Sequence, residues 1–511
     1  LVLHSAGSNG YREPDSYFDR GVGVAIFPRD DAFNDGTRDP YTGQTRFHSG
    51  WYGYATNGVA VNHTERRLIR YLRLALEDAD LKIDPARVYV RGTSMGGGGA
   101  LHLAYHYPHL FAAAAPTIGW VDPDAWSRGI WAKEFGEPPA RMPVNAQGGP
   151  SWWDWQNMAW MVDNWPGRLP PVLHTFRKDD DIIDERAYPA LLEKTEKSAQ
   201  GQISQWQDGG HRGFSLKENA EFLRFRRDEA YPAFSDAASS DPFAAQEGQR
   251  NLNLDWSSRH RDLFPGEADA IADSLSGFAM TFKSMAADAQ VDVTPRNTQR
   301  FHPLPGDTVR WVNRAQSGGA LLDSGTAVAD ARGLVTARIR VIAAGNRLSL
   351  ACAACGAPSR RALLKGFILP EINPLPVGAV DHARKTVTLT VPGQVDIASL
   401  RPHVEHTGSS LQPASGAAVD FSSPVEYKVT GSGAEAVYTV EIKRGPVSIR
   451  RKRDIPDLRK PDGRKSKPST GGAMRPRNQG NPMLLGPDAS GDWYSANGRM
   501  QAVFPPQSTF P

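Results

Sequence analysis

Only two cysteines, Cys352 and Cys355, occur in 511 residues, so disulfides cannot be the framework of the fold. No run approaches the roughly 18 uninterrupted apolar residues that a membrane-crossing helix needs, which argues against a membrane span. Charge of one sign is also scarce. The formal net charge is +3, and residues 448–477 hold eleven Lys or Arg against three Asp, so the remaining chain is slightly acidic. Such a body gives no general argument for nucleic-acid binding, and the RRKR run at 450–453 reads as part of a solvated linker. Neither a Walker loop nor a dinucleotide fingerprint is present, because GGGGA at 96–100 follows a serine and lacks a phosphate-binding Lys. A single C-x-x-C without a second pair reads as buried thiols or a local disulfide, and the expectation is no cofactor and no metal. The opening LVLHSAG has no initiator Met, charged segment or cleavage site, so either a targeting segment has been removed or the sequence is a fragment.

What is present is an ordinary globular composition, 40% hydrophobic and 23% charged, in a chain long enough for two to four domains. From 1 to 235, uniformly apolar runs such as VYVRGTS (88–94), AAAAPTIG (112–119) and PVLHTF (171–176) alternate with helical patterns at 63–79, 98–107, 185–198 and 217–230. That alternation predicts an α/β unit with a doubly wound, mostly parallel sheet covered on both faces. After a Ser-, Asp- and Pro-containing linker at 236–243, short strands between turns predict a β-rich module at 244–355 and a β-sandwich at 367–447. Residues 448–482 read as a basic disordered linker and 483–511 as an unassigned tail.

The chemistry concentrates in VYVRGTSMGGGGALHLAYHY at 88–107. Gly92, Ser94 and Gly96 satisfy G-x-S-x-G, with a strand before and a helix after, as a strained nucleophile turn requires. A serine hydroxyl needs a base. Of the five histidines that follow within the first unit, His102, His106 and His109 fall on or just beyond the following helix, where surface or packing roles are expected, and His174 falls inside a strand. His211, in the loop DGGHRGF after the last strand, is the expected base. The acid should come from RKDDDIID at 177–184. Asp180 is favoured because Asp180-x-x-Ile183 supplies an apolar anchor, with Asp179 next and Asp181 and Asp184 as solvated neighbours. An oxyanion needs two backbone N–H groups. Met95 follows the nucleophile, and Ala6 is the choice from HSAGSNG at 4–10, with Ser5 and Gly7 as alternatives.

Eight of thirteen Trp fall between 120 and 165, a segment placed where a lid would be inserted. Trp120, Trp153 and Trp155 there, with Trp51 and Tyr52 on a second loop, are expected to line a substrate pocket, against the alternative that they pack the lid onto the sheet.

The motifs LHSAG, GTSMGGGGALHLAYHYPHLFAA, RKDDDIID and DGGHRGF, in that order, resemble the α/β-hydrolase superfamily, within it the esterase and prolyl-oligopeptidase-like branch of bacterial secreted hydrolases. A weaker resemblance over 367–447 is to the immunoglobulin-like modules of bacterial surface and carbohydrate-active proteins. Together these imply an extracellular or periplasmic serine carboxylic-ester hydrolase acting on a small-molecule or polymeric ester, with polysaccharide as a candidate polymer. The rival readings are a serine peptidase of the prolyl-oligopeptidase type and a non-catalytic carbohydrate-binding surface protein.

Overall fold

The computed structural model describes residues 1–5, 23–28, 30, 49–126, 128–137, 141–145, 149–214, 223–258, 271–445 and 502–503. The apolar runs of the first unit form β1 (Val2–Leu3), β2 (Tyr89–Thr93), β3 (Ala113–Thr117), β4 (Val172–Arg177) and β5 (Gln202–Gln207), which lie side by side in that order and parallel. Crossover helices connect them. They include α1 (His63–Glu77), α2 (Met95–His106) and, after the Trp-rich segment, α3 (Tyr188–Lys197). In α1 the buried Leu68, Ile69, Leu72 and Ala75 form one stripe, and Arg66 and Arg70 lie on the exposed side.

Because side chains alternate along a strand, the sheet has two faces, and the two are covered differently. Val90, Ala114, Val172, Phe176 and Trp206 join the core shared with α1, α2, α3 and the 120–165 segment. On the other face Ala113, Leu173 and Ile203 join a second core with Phe225, Tyr231, Phe234, Trp256, Val291 and Ile339. A helix was expected over 217–230. Residues 215–222 lie outside the described residues, and Leu223–Ala230 form a short 3-10 turn and bends. The cause is local. Arg224 is buried, with Nη1 donating to Asp255 Oδ1 at 2.8 Å, its Nη2 donating to the Trp256 carbonyl, and its guanidinium over the Trp256 ring, so the segment is held out of helical geometry.

The chain does not leave the first unit once, at 235. β6 (Tyr231–Ser235) joins a three-stranded sheet with 289–296 and 337–341, and β7 (Gly248–Arg250) then returns as an antiparallel edge strand on β5. Strands 254–256, 277–284, 346–351, 308–315 and 321–328 make the facing sheet of this module, and a Cys352–Cys355 disulfide lies at its end. The third module has a five-stranded sheet, in the order 379–381, 386–391, 434–444, 425–431 and 410–412, and a two-stranded ladder of 364–368 with 403–406. Its core, with Phe367, Tyr427 and Tyr438, is made of its own residues, 362–442. No helix among the described residues is long and apolar enough to cross a membrane.

Candidate active site

The polypeptide leaves β2 at Thr93 and enters α2 at Met95, so Ser94 must turn the chain within one residue. It does so at φ 56° and ψ −119°, a strained left-handed-side conformation, with its N–H held by the Thr117 carbonyl at 2.9 Å. The turn needs small neighbours: a Cβ on Gly96 would lie 2.1 Å from the Leu3 carbonyl oxygen. Ser94 is thereby lifted to the carboxyl end of the sheet. Met95 is the first residue of α2, where helical geometry leaves the N–H without an intrahelical acceptor. Ala6, expected as the second oxyanion donor, lies outside the described residues.

Ser94 Oγ donates to His211 Nε2 at 2.7 Å, and His211 Nδ1 donates to both Asp180 oxygens at 2.9 Å. Asp180 is the residue of the acidic cluster that turns inward, and its side chain is 2% exposed. Burial works to raise its pKa. The hydrogen bond from His211 and the N–H groups of Ile183 and Ile182 outweigh burial and hold the carboxyl below its ordinary value. A carboxylate with no proton to give fixes the tautomer: Nδ1 carries the ring proton and Nε2 faces Ser94 as an acceptor. Ile183 is buried, so the apolar anchor of that loop points into the core.

The neighbouring carboxylates take other roles. Asp184 pairs with the exposed Arg186. Asp179, expected to be a solvated neighbour or the second choice of acid, does not touch His211 but accepts from the N–H groups of Gly209 and Gly210 at 2.8 and 2.9 Å. Arg177, which was not singled out from the sequence, reaches the same loop from the end of β4. A buried cation is hard to see in HTFRKDDD, where Arg177 looks like the start of a charged surface run.

The other histidines are packing residues. His174 is buried in β4 between Phe176 and Tyr188, and desolvation pushes its pKa down to about 3. His102 and His106 are buried residues of α2 itself, and His106 Nδ1 lies 2.6 Å from Glu65 Oε1.

The five residues expected to line a substrate pocket are packed inside the protein. Trp51, Tyr52, Trp120, Trp153 and Trp155 are each no more than 5% exposed and belong to the hydrolase core. Trp120 and Trp51 fill notches over α2: a Cβ on Gly98 would lie 2.2 Å from the Trp120 ring, and one on Gly99 2.4 Å from the Trp51 ring. Trp155 stacks on His106 at 4.6 Å, the Tyr52 hydroxyl donates to the Ala60 carbonyl, and Trp153 Nε1 donates to the Gly136 carbonyl. Side chains packed in this way belong to the core that covers the sheet.

Comparison with known proteins finds matches to two separate stretches of the chain. Residues 32–213 match the protein family Esterase, and residues 367–442 match the family described as SGBP, N-terminal. A diacylglycerol acyltransferase/mycolyltransferase, Ag85C, of Mycobacterium avium is 35% identical over 100 residues, 19% of this chain and 27% of that protein. The chain therefore spans about a quarter of the length of this curated relative. Among solved structures, an S-formylglutathione hydrolase from Agrobacterium tumefaciens is 18% identical, covering 41% of this chain and 76% of that one at a TM-score of 0.29. FphF, a fluorophosphonate-binding serine hydrolase of Staphylococcus aureus, is 14% identical over 41% of this chain and 75% of its own, with a TM-score of 0.27. The molecule is thus an α/β-hydrolase unit with β-sandwich modules after it, and residues 32–213 are its esterase-type region.

Proposed function

We propose that the protein is a serine carboxylic-ester hydrolase with Ser94 as nucleophile, His211 as general base and acid, and Asp180 as the group that orients His211. The continuous hydrogen-bonded chain Ser94–His211–Asp180 carries this reading. Ser94 Oγ attacks the ester carbonyl carbon as its proton passes to His211 Nε2. The oxyanion so formed takes a hydrogen bond from the Met95 N–H, with Ala6 as the proposed second donor. Collapse breaks the bond to the alcohol oxygen, which leaves with the proton from His211. Water then gives a proton to His211 and attacks the acyl-Ser94 ester, and the acid is released with Ser94 restored. An acyl group held on Ser94 can also pass to a second alcohol in place of water, and the similarity to an acyltransferase favours testing that branch.

The setting we infer is extracellular, at or near glycan, from the match of 367–442 to a surface glycan-binding protein domain. All four Phe, Tyr and Trp residues of 364–445 (Phe367, Phe421, Tyr427 and Tyr438) are buried, so this module has no aromatic surface on which a sugar could stack. A polysaccharide ester would therefore be engaged at the hydrolase unit.

Turnover of p-nitrophenyl acetate by the full chain is the test. Ser94→Ala should abolish it and Asp180→Asn should slow it by orders of magnitude, because the imidazole loses its fixed tautomer. A Ser94→Ala rate within about tenfold of the parent removes Ser94 from the nucleophile role. Adding a peptide p-nitroanilide separates esterase from peptidase, and adding an alcohol acceptor separates hydrolysis from transfer. An inert parent chain would favour the binding-protein reading.

A further inference from the structure

We propose that Arg177 and Asp179 are a positioning pair that sets the reach of His211 by gripping the backbone on both sides of it. The inference rests on the serine-hydrolase reading above.

His211 lies in the loop Asp208–Arg212, which follows β5. Gly209 has φ 142° and Gly210 φ 62°, conformations that cost a glycine little but also give the loop no preference for staying where it is. What holds it comes from the neighbouring strand. Arg177 ends β4 and is 8% exposed. Its Nε donates to the Arg212 carbonyl at 2.8 Å and its Nη1 donates to the Asp208 carbonyl. The same guanidinium lies 4.3 Å from the centroid of the Phe214 ring. One planar fork thus fastens the residue just after His211 and the residue three before it, a geometry a lysine ammonium cannot reproduce. Asp179, two residues further on, takes the amides between those two points: Oδ1 accepts from Gly209 N–H and Gly210 N–H. Those two N–H groups, Gly210 first, hold its carboxyl below the ordinary range, so it stays an acceptor at neutral pH.

Arg177 and Asp179 thus bond the backbone of Asp208, Gly209, Gly210 and Arg212, on both sides of His211. Asp180 orients the ring, while Arg177 and Asp179 fix the Cα from which the ring projects. The Ser94–His211 contact of 2.7 Å depends on both. An imidazole displaced by about 1 Å loses about a hundredfold in rate without any loss of substrate affinity.

The test uses the full chain with Asp179→Ala, Asp179→Asn and Arg177→Met. On p-nitrophenyl acetate, Asp179→Ala and Arg177→Met should lower kcat about ten- to hundredfold with KM within about twofold. Asp179→Asn keeps a carbonyl acceptor for the two amides and should recover most of that loss. Amide hydrogen exchange over 207–214 reads the loop whether or not an ester is turned over. It should quicken about tenfold or more in Asp179→Ala and stay near the parent in Asp179→Asn. An Asp179→Ala variant with parental kcat, or with unchanged exchange over 207–214, overturns the proposal, and so does an Asn variant as impaired as the Ala one. If the parent itself turns over no ester, the serine-hydrolase reading fails by itself, and exchange over 207–214 still decides whether Asp179 holds the loop.

Discussion

The two β-rich modules look alike in sequence, and they stand in opposite relations to the hydrolase sheet. The second shares a core with it: Ala113, Leu173 and Ile203 of the sheet lie in one apolar cluster with Phe234, Trp256 and Val291 of the module. The third closes a core from residues 362–442 alone. Links from it to the rest of the chain include Lys365 Nζ donating to the Thr298 carbonyl and Arg360 pairing with Asp307. A module that supplies one face of its neighbour's core is part of that neighbour, whatever the strand pattern suggests.

Truncation breaks this comparison most directly. A chain stopped after residue 240 loses β7 and Trp256 and leaves Leu173 and Ile203 facing water, so it should yield no folded hydrolase. Circular dichroism and a thermal melt check this, and a cooperatively melting 1–240 fragment would make the second module an appendage after all. Point changes come next. Phe234→Ala should cost about 3–5 kcal/mol, seen in urea as an earlier transition in which ester turnover is lost together with the fold. Leu389→Ala, in the third module, should cost about 2–5 kcal/mol in a transition of its own, with turnover untouched.

Acid gives a smaller and more selective effect. Neutral, buried His174 has a folded pKa near 3 against about 6.5 when unfolded, so its contribution is full above about pH 6.5 and lost as pH falls toward 3. Between pH 7 and pH 5 that amounts to about 2 kcal/mol. His174→Leu should flatten the pH dependence of the hydrolase transition by about this amount and leave the third module's transition alone. Equal pH slopes in parent and variant would show that His174 is not the group responsible. The smallest change expected is from stopping the chain after residue 361, which should alter kcat/KM for a small ester by less than about twofold, because the third module gives no residue to the described site.

The parts of the site legible in sequence are those set by short-range geometry. Ser94 on its elbow, His211 in its Gly-Gly loop and the Asp180–Ile183 spacing each need only a few neighbouring residues to be recognised, and the structure brings the three together. Alternating strands and helices likewise showed the parallel sheet. The parts not legible depend on what arrives from afar. Trp51 and Trp120 read as a pocket wall because a tryptophan's sequence neighbours do not say which way it faces. Gly98 and Gly99 were the available signal, since glycines inside a helix leave room that something large must fill. Arg177 read as surface because the carbonyls it binds, those of Asp208 and Arg212, are about thirty residues further along. The cover on the sheet's second face was hidden for the same reason: β6 and β7 belong to different sheets although twelve residues separate them.

The glycine notches of α2 also tie the nucleophile turn to the layer above it. Gly96 to Gly99 make the first turn of this helix intrinsically weak, at about 1 kcal/mol per glycine relative to alanine. Its persistence therefore depends on the indoles pressed into it more than on its own backbone. A cavity behind Trp120 should then loosen the elbow carrying Ser94 more than the strands beneath it. The tryptophans seated in those notches thus hold the shape of the turn that carries Ser94.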